Sequence, residues 1–163
     1  MVAGLVLGVD DTIIELGPGT GPFTKAIAGI LPERSYYLGI ERDPAFIEIL
    51  RRRFSGLHFV AGSAEQALSF HQEAKLPPVK AVVCGLPFAS LASSVQDKII
   101  DALDLMLASG CMFRTFQYVH AFALPAAVRF RRCMDDRFGS HTRSRPVMRN
   151  VPPAFVLTWK RDP

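Results

Sequence analysis

The chain has 163 residues, 49% of them hydrophobic and 21% charged, with a formal net charge of +4. That length suits one domain with a sizeable core, and the composition excludes a disordered chain. No apolar run reaches the ~20 residues of a membrane-spanning helix, and the mild positive excess suits an anionic partner without selecting one.

The expectation is therefore a single domain over 1–163. The opening MVAGLVLGVDD lacks the length and basic leader of a secretory signal. Cys84, Cys111 and Cys133 match no zinc spacing and read as free thiols of a reducing cytoplasm. His58, His71 and His141 have no ligand spacing either, so no metal is expected.

In chain order, apolar runs alternate with helical patterns, which signals an α/β sheet. Strands are predicted at about 12–16, 35–40, 57–61, 79–84, 111–118, 138–147 and 154–161, and helices at about 22–31, 44–54, 64–74, 92–107 and 124–136. Pro22 and Pro44 suit first helical positions. Asp43 can cap the second helix, and Ser63 with Gln66 has the spacing of a capping box. Phe46, Leu50 and Phe54 share one face of the second helix, with Ile47 beside them. No helix separates the last two strands, so they form an antiparallel hairpin at the sheet edge. No repeat or second domain is visible.

The most informative stretch is TIIELGPGTGPFTK at 12–25. A buried-type strand runs into Gly17, Gly19 and Gly21, and a helix opens at Pro22. Glycines let a backbone turn sharply and approach a ligand closely. A polar ligand belongs over this turn, at the carboxyl ends of the strands. The spacing is G-x-G-x-G, with Pro22 where a dinucleotide fingerprint has its third glycine or alanine. No Lys-Ser/Thr pair follows, which disfavours nucleoside triphosphates. Glu41 closes the second strand in LGIERDP, where a carboxylate can accept from both hydroxyls of a ribose. The bland alternative is an ordinary strand-to-helix turn with a surface Glu.

Preceded by Glu15, this tight loop resembles the first motif of class I S-adenosylmethionine-dependent methyltransferases. An Asp usually follows the third strand in that class. Here Ser63 stands in VAGSAEQ, either bonding adenine or only capping a helix, while the backbone of Ala64 can meet the adenine edge. The fourth strand ends in GLPF at 85–88, where nucleobase amino-methyltransferases carry Asn, Asp or Ser. Gly85 supplies no such oxygen, which counts against a planar base amine and favours a backbone-lined slot. The alternative is a plain strand-ending turn.

Taken together, ELGPGTG at 15–21, Glu41, GLPF at 85–88, RTFQYVHAF at 114–122 and RNVPPAFVLTWKR at 149–161 resemble the bacterial phospholipid N-methyltransferase family, which methylates phosphatidylethanolamine. The resemblance implies a Rossmann-like fold, mostly parallel and seven-stranded, with an antiparallel carboxyl-terminal hairpin and helices on both faces. It implies S-adenosyl-L-methionine as cofactor, with S-adenosyl-L-homocysteine as product. The cofactor would be held by Glu15, Gly17, Pro18, Gly19, Thr20, Gly21, Glu41, Arg42, Ser63, Ala64 and Cys84. Gly85, Leu86, Pro87, Phe88 and Tyr118 would position the substrate. Phospholipid head groups are the implied partner, at the cytoplasmic surface of an anionic membrane.

Other readings stay open. rRNA adenine N6-dimethyltransferases share the glycine loop. A dinucleotide-dependent oxidoreductase is the rival enzyme class. Few residues precede the first strand where such enzymes usually carry cap helices, so a cofactor-binding module with a lost lid is a third. His120 follows the fifth strand, either as a proton acceptor or as a packed or surface side chain. Arg129, Arg131, Arg132, Arg137, Arg143, Arg145 and Arg149 cluster late, with Asp135 and Asp136 among them. Lipid phosphate, RNA and a solvated face all suit that charge.

Overall fold

A computed structural model of the chain describes residues 1–32 and 36–161. Among the described residues, seven strands form one sheet: β1 (Thr12–Leu16), β2 (Tyr37–Glu41), β3 (His58–Ala61), β4 (Val79–Cys84), β5 (Met112–Tyr118), β6 (Thr142–Arg143) and β7 (Ala154–Lys160). The α-helices described between them are α1 (Pro22–Ala28), α2 (Pro44–Arg53), α3 (Ala67–Glu73), α4 (Ser93–Met106) and α5 (Pro125–Phe138). The strand order is β3-β2-β1-β4-β5-β7-β6. The first five strands in this order are parallel, and β7 is antiparallel to both β5 and β6. This is the Rossmann-like arrangement expected from the sequence. The order reverses at β1, so a crevice opens beyond the carboxyl ends of β1 and β4.

Strand alternation divides the core between the two faces. Ile14, Leu16, Val82 and Cys84 face a cluster closed by Ile99, Phe130 and Trp159. Ile13, Ala81 and Val83 face another, closed by Ile27, Ile47 and Leu50. Helices therefore cover both faces, α3 to α5 on one and α1 with α2 on the other. Met1, Val2, Leu5 and Leu7 pack against the second cluster, and the Arg114 guanidinium donates to the carbonyls of Met1 and Ala3 at 2.8 Å each.

Local chemistry accounts for the element boundaries. The Asp43 carboxylate accepts from the Ala45 N–H at 2.9 Å and caps α2. Gly29 ends α1 before the predicted position 31. The third helical region opens with a 3₁₀ turn at Ala64–Gln66 before α3 begins. The predicted strand over 35–40 runs instead from Tyr37 to Glu41, and Ser35 lies outside the described residues.

The strand expected at 138–147 is corrected. Phe138 belongs to α5, where Phe130, Met134 and Phe138 recur every four residues on one buried face. Gly139, at φ 82°, then ends the helix. β6 holds only two residues. Pro146 has no N–H to donate to a ladder, and pairing resumes at a single bridge, Val147 N–H to the Ala154 carbonyl at 2.8 Å.

Phe130 is the keystone of the larger cluster. Its ring stacks on Phe88 with centroids 3.8 Å apart and meets Phe113 and Trp159 edge-on. Phe130→Ala should lower unfolding free energy by ~3–5 kcal/mol. Urea titration would show this as a lower midpoint at unchanged slope.

Candidate functional site

The loop after β1 is shaped by two backbone contacts. The Gly17 N–H donates to the Ile40 carbonyl at 2.9 Å, and the Gly85 N–H donates to the Leu16 carbonyl at 2.7 Å. Gly17, Gly19 and Gly21 have φ of 68°, 56° and 86°, in the left-handed region that favours glycine. Their surroundings differ. A Cβ at Gly17 would meet Leu86 at 2.6 Å, and one at Gly21 would meet Phe54 at 2.6 Å. A Cβ at Gly19 would meet nothing within 4 Å. Gly19 is thus the glycine whose outer side faces open space.

Glu41 reaches back to this loop from the end of β2. Its Oε2 accepts from the Gly19 N–H at 2.9 Å, and its Oε1 accepts from the Arg42 and Asp43 N–H groups at 2.7 and 3.0 Å. The carboxylate is therefore oriented by backbone donors at the turn where a ribose was expected.

Glu15 is fully buried on β1. Its Oε2 accepts from the Thr24 hydroxyl at 2.8 Å and from the Tyr37 hydroxyl at 2.6 Å, while Oε1 has no partner among the described residues. Burial outweighs these two bonds and raises its pKa to about 7, helped slightly by the nearby Glu41 charge. The Tyr37 phenol is pushed well above its ordinary value by burial and by Glu15.

A cavity of about 390 Å³ opens beside the loop. Gly17, Pro18, Gly19 and Thr20 form one side, and Gly85 lies at its floor. Phe23, Phe116 and Tyr118 form an aromatic wall, continued by Val147, Ala154 and Val156. Phe23 and Phe116 meet edge-on at 6.1 Å, as do Phe116 and Tyr118 at 5.1 Å. The exposed His120 stacks on Tyr118 at 5.5 Å.

The structure gathers most, though not all, of the residues named from the sequence. The glycine loop, Gly85 and Tyr118 share the cavity, with Glu41 against the loop. Phe88 does not join them: its ring lies fully buried between Phe113 and Phe130. Cys84 is buried in β4, and burial pushes its thiol up to about 12. Leu86 packs on Gly17, and Pro87 is exposed. The Arg42 side chain is exposed outside the cavity lining, and its backbone N–H donates to Glu41. Ser63 stands at the start of the 3₁₀ turn in capping-box geometry with Gln66. Its N–H donates to Gln66 at 3.4 Å and its hydroxyl to Glu65 at 3.3 Å. Ala64 is buried behind it. Sequence reasoning did not name Phe23, Phe116, Val147, Ala154 or Val156, although Phe116 and Val156 stand next to buried residues along β5 and β7.

Gly85 has a stronger reason to be glycine than a plain turn. A Cβ there would sit 2.5 Å from the Gly17 carbonyl oxygen, so no carboxamide fits while the loop keeps this path.

The arginine cluster is largely internal. Arg129 holds Asp97 through two bonds at 2.6 and 2.7 Å, and Arg137 pairs with Asp101. Arg131 donates to Gln117 and lies over the Phe122 ring, while Arg143 lies over Phe155. Arg132, Arg145 and Arg149 form no ion pair among the described residues. No helix among them is long and apolar enough to cross a membrane.

No protein-family model matches the chain. It is 32% identical over 104 residues to the ornithine lipid N-methyltransferase of Singulisphaera acidiphila, a stretch covering 62% of this chain and 54% of that protein. It is 27% identical over 105 residues to ribosomal RNA small subunit methyltransferase A of Chlorobium phaeobacteroides, covering 64% of this chain and 37% of that protein. The chain thus spans about half or less of the length of these relatives. Among solved structures, an rRNA methylase from Streptococcus thermophilus superposes with a TM-score of 0.69 at 14% identity, covering 94% of this chain and 89% of that one. An N-methyltransferase from Bradyrhizobium japonicum gives 0.68 at 14% identity, covering 94% and 86%. A 16S rRNA N2 G1207 methyltransferase of T. thermophilus, solved with AdoMet and guanosine, gives 0.66 at 18% identity, covering 98% and 38%. The chain has the class I S-adenosylmethionine-dependent methyltransferase fold, and its sequence resembles a lipid N-methyltransferase.

The buried Glu15 makes stability depend on pH in a defined direction. Its folded pKa of about 7 exceeds its ordinary value of 4.5. The folded state therefore binds more protons between those values, and stability falls as pH rises through them. Above pH 7 the penalty is complete, about 3 kcal/mol at 1.36 kcal/mol per unit. Glu15→Gln should remove this fall. Urea midpoints at pH 5 and pH 8 should converge in the variant and diverge in the parent.

Proposed function

We propose that the chain is the catalytic domain of an S-adenosylmethionine-dependent N-methyltransferase that methylates the amine of a membrane-lipid head group, with phosphatidylethanolamine the first candidate. The reading rests on one observation above all. The cavity pairs a glycine loop with a wall of Phe23, Phe116 and Tyr118, across a floor where Gly85 excludes any carboxamide. Aromatic faces attract ammonium groups, and methylated ones still more selectively than small polar ligands. A nucleobase amine would need a planar polar clamp that this floor cannot carry.

The cofactor fits the residues present. Gly19 leaves open space above the loop, and Glu41 sits at the turn where ribose hydroxyls would be accepted. When bound, S-adenosylmethionine supplies a methyl group that is already activated. The task left to the chain is positioning, which can be worth roughly 7–11 kcal/mol. The loop and Glu41 hold one reactant, and the aromatic wall orients the amine. A protonated amine must lose its proton before attack. Water takes it, or His120 beside Tyr118, so no covalent nucleophile is required. The domain would work at the cytoplasmic face of the membrane.

Methylation of rRNA adenine is the second reading. It is favoured by the similarity to ribosomal RNA methyltransferases and by the ability of aromatic side chains to stack bases. Labelled S-adenosylmethionine should be offered with phosphatidylethanolamine or ornithine lipid in anionic vesicles, and separately with unmodified rRNA. Label in either lipid supports the proposal and identifies the head group. Label in RNA alone overturns it, and cofactor binding without any turnover points to a binding module.

Gly19→Val places a side chain in the open space beside the loop, where a φ of 56° also strains a β-branched residue, and should weaken S-adenosylhomocysteine binding about tenfold or more, a loss of ~1.4 kcal/mol, with circular dichroism read alongside to establish that the variant is folded. Calorimetry reads this directly, and Glu41→Ala should act in the same direction. Tyr118→Ala should lower kcat/KM for the amine about 30-fold, as loss of a desolvated cation–π contact near 2 kcal/mol implies. Tyr118→Phe should restore most of it, and cofactor affinity should be unchanged in both.

A further inference from the structure

The segment between β6 and β7, residues 144–153, stands beside the cavity and is exposed along most of its length. Val147, Met148 and Val151 expose 42%, 71% and 92% of their surface within five positions. Single exposed apolar residues are ordinary, whereas a clustered patch marks a contact surface. Arg145 and Arg149 are interleaved with them, and no acidic residue occurs from 139 to 161. Neither arginine forms an ion pair among the described residues, in contrast to Arg129, Arg137 and Arg161, which hold Asp97, Asp101 and Asp104.

The segment is held in shape. The Val147 N–H donates to Ala154 at 2.8 Å, the Asn150 side-chain amide donates to the Pro152 carbonyl at 2.8 Å, and the Ser144 hydroxyl accepts from the Val156 N–H at 2.9 Å. A neighbouring turn adds to the same end of the molecule. The Val119 N–H donates to the Pro153 carbonyl at 2.9 Å, and Val119 and Leu124 are 40% and 47% exposed. Val147 and Asn150 also line the cavity with Tyr118 and Gly19, which places this end at the cavity mouth.

We propose that residues 144–153 form a docking loop for an anionic phospholipid bilayer. Met148 and Val151 enter the interface, Arg145 and Arg149 engage lipid phosphates, and the mouth of the cavity faces the head groups. Apolar tips flanked by cations without acidic neighbours suit this boundary, which offers hydrocarbon beneath a negative surface. An RNA backbone would match the arginines but would leave the apolar tips in water. The inference rests on the lipid reading above and adds the surface by which the domain reaches its substrate.

The test uses the 163-residue chain and vesicles without amine lipid, either phosphatidylcholine alone or phosphatidylcholine with phosphatidylglycerol. Flotation should show binding to the anionic vesicles, weakened by salt. Arg145→Gln with Arg149→Gln should reduce partitioning about 30-fold, near fivefold for each arginine at an anionic surface. Met148→Ser with Val151→Ser should also reduce it, and the residual binding should be more sensitive to salt. Both double variants should keep parental affinity for S-adenosylhomocysteine, which shows that the fold and the loop over β1 are intact. Parental binding in both variants, or no vesicle binding by the parent, would overturn the docking loop whatever the parent methylates. Loss of RNA binding in the arginine variant, with vesicles ignored by the parent, would overturn it in favour of nucleic acid. Loop-dependent vesicle binding together with methyl transfer only to RNA would keep the docking surface and remove the lipid substrate.

Discussion

The site depends on how closely the backbones of β1 and β4 approach where they leave the sheet. Gly85 donates to Leu16 at 2.7 Å, and a Cβ on Gly85 would meet the Gly17 carbonyl oxygen at 2.5 Å. That approach lets the loop fold over the end of β4 while Gly17 remains bonded to β2. It brings Glu41 within reach of the Gly19 N–H, and it sets the floor of the cavity against the aromatic wall. A side chain at Gly85 would press on the Gly17 carbonyl where the sheet order reverses, whereas one at Gly17 would meet the Leu86 side chain.

Much of this was legible in the amino-acid order. The G-x-G-x-G spacing after an apolar strand located the loop, and Glu41 was marked at the end of the next strand, though its bond to the Gly19 N–H was not foreseen. What remained hidden was three-dimensional. Phe88 was read as a substrate contact because it follows Gly85-Leu86-Pro87, but the chain turns into 3₁₀ geometry there and buries the ring against Phe130. Phe138 was read as a strand residue because a local apolar pattern cannot separate the end of an amphipathic helix from the start of a strand. Gly85 was visible as a departure from the nucleobase enzymes. Its cause, a carbonyl on a segment nearly seventy positions earlier, was not.

Charge shows the same limit. Seven arginines cluster in the late stretch, and their order alone left lipid phosphate, RNA and a solvated face open. The fold spends several of them on α4, on Gln117 and on aromatic rings, because guanidinium groups satisfy carboxylates and cover ring faces at once. The cations left at the surface are fewer, and two of them stand in a segment with exposed apolar side chains. Partner chemistry is therefore better read from the arginines that remain than from the total.

The position of β7 bears on how the chain is made. This strand comes last among those described, yet it lies between β5 and β6 and carries Leu157 and Trp159 into the larger core. During synthesis, β1 to β5 can emerge and pair in parallel with their helices, but the far side of β5 stays open until residues near 160 leave the ribosome. Until then the nascent domain would carry an exposed strand edge and an unfilled aromatic cluster, the condition under which partly folded chains associate. Folding would then close in one late step, with insertion of β7 completing the sheet, the core and the wall of the cavity together.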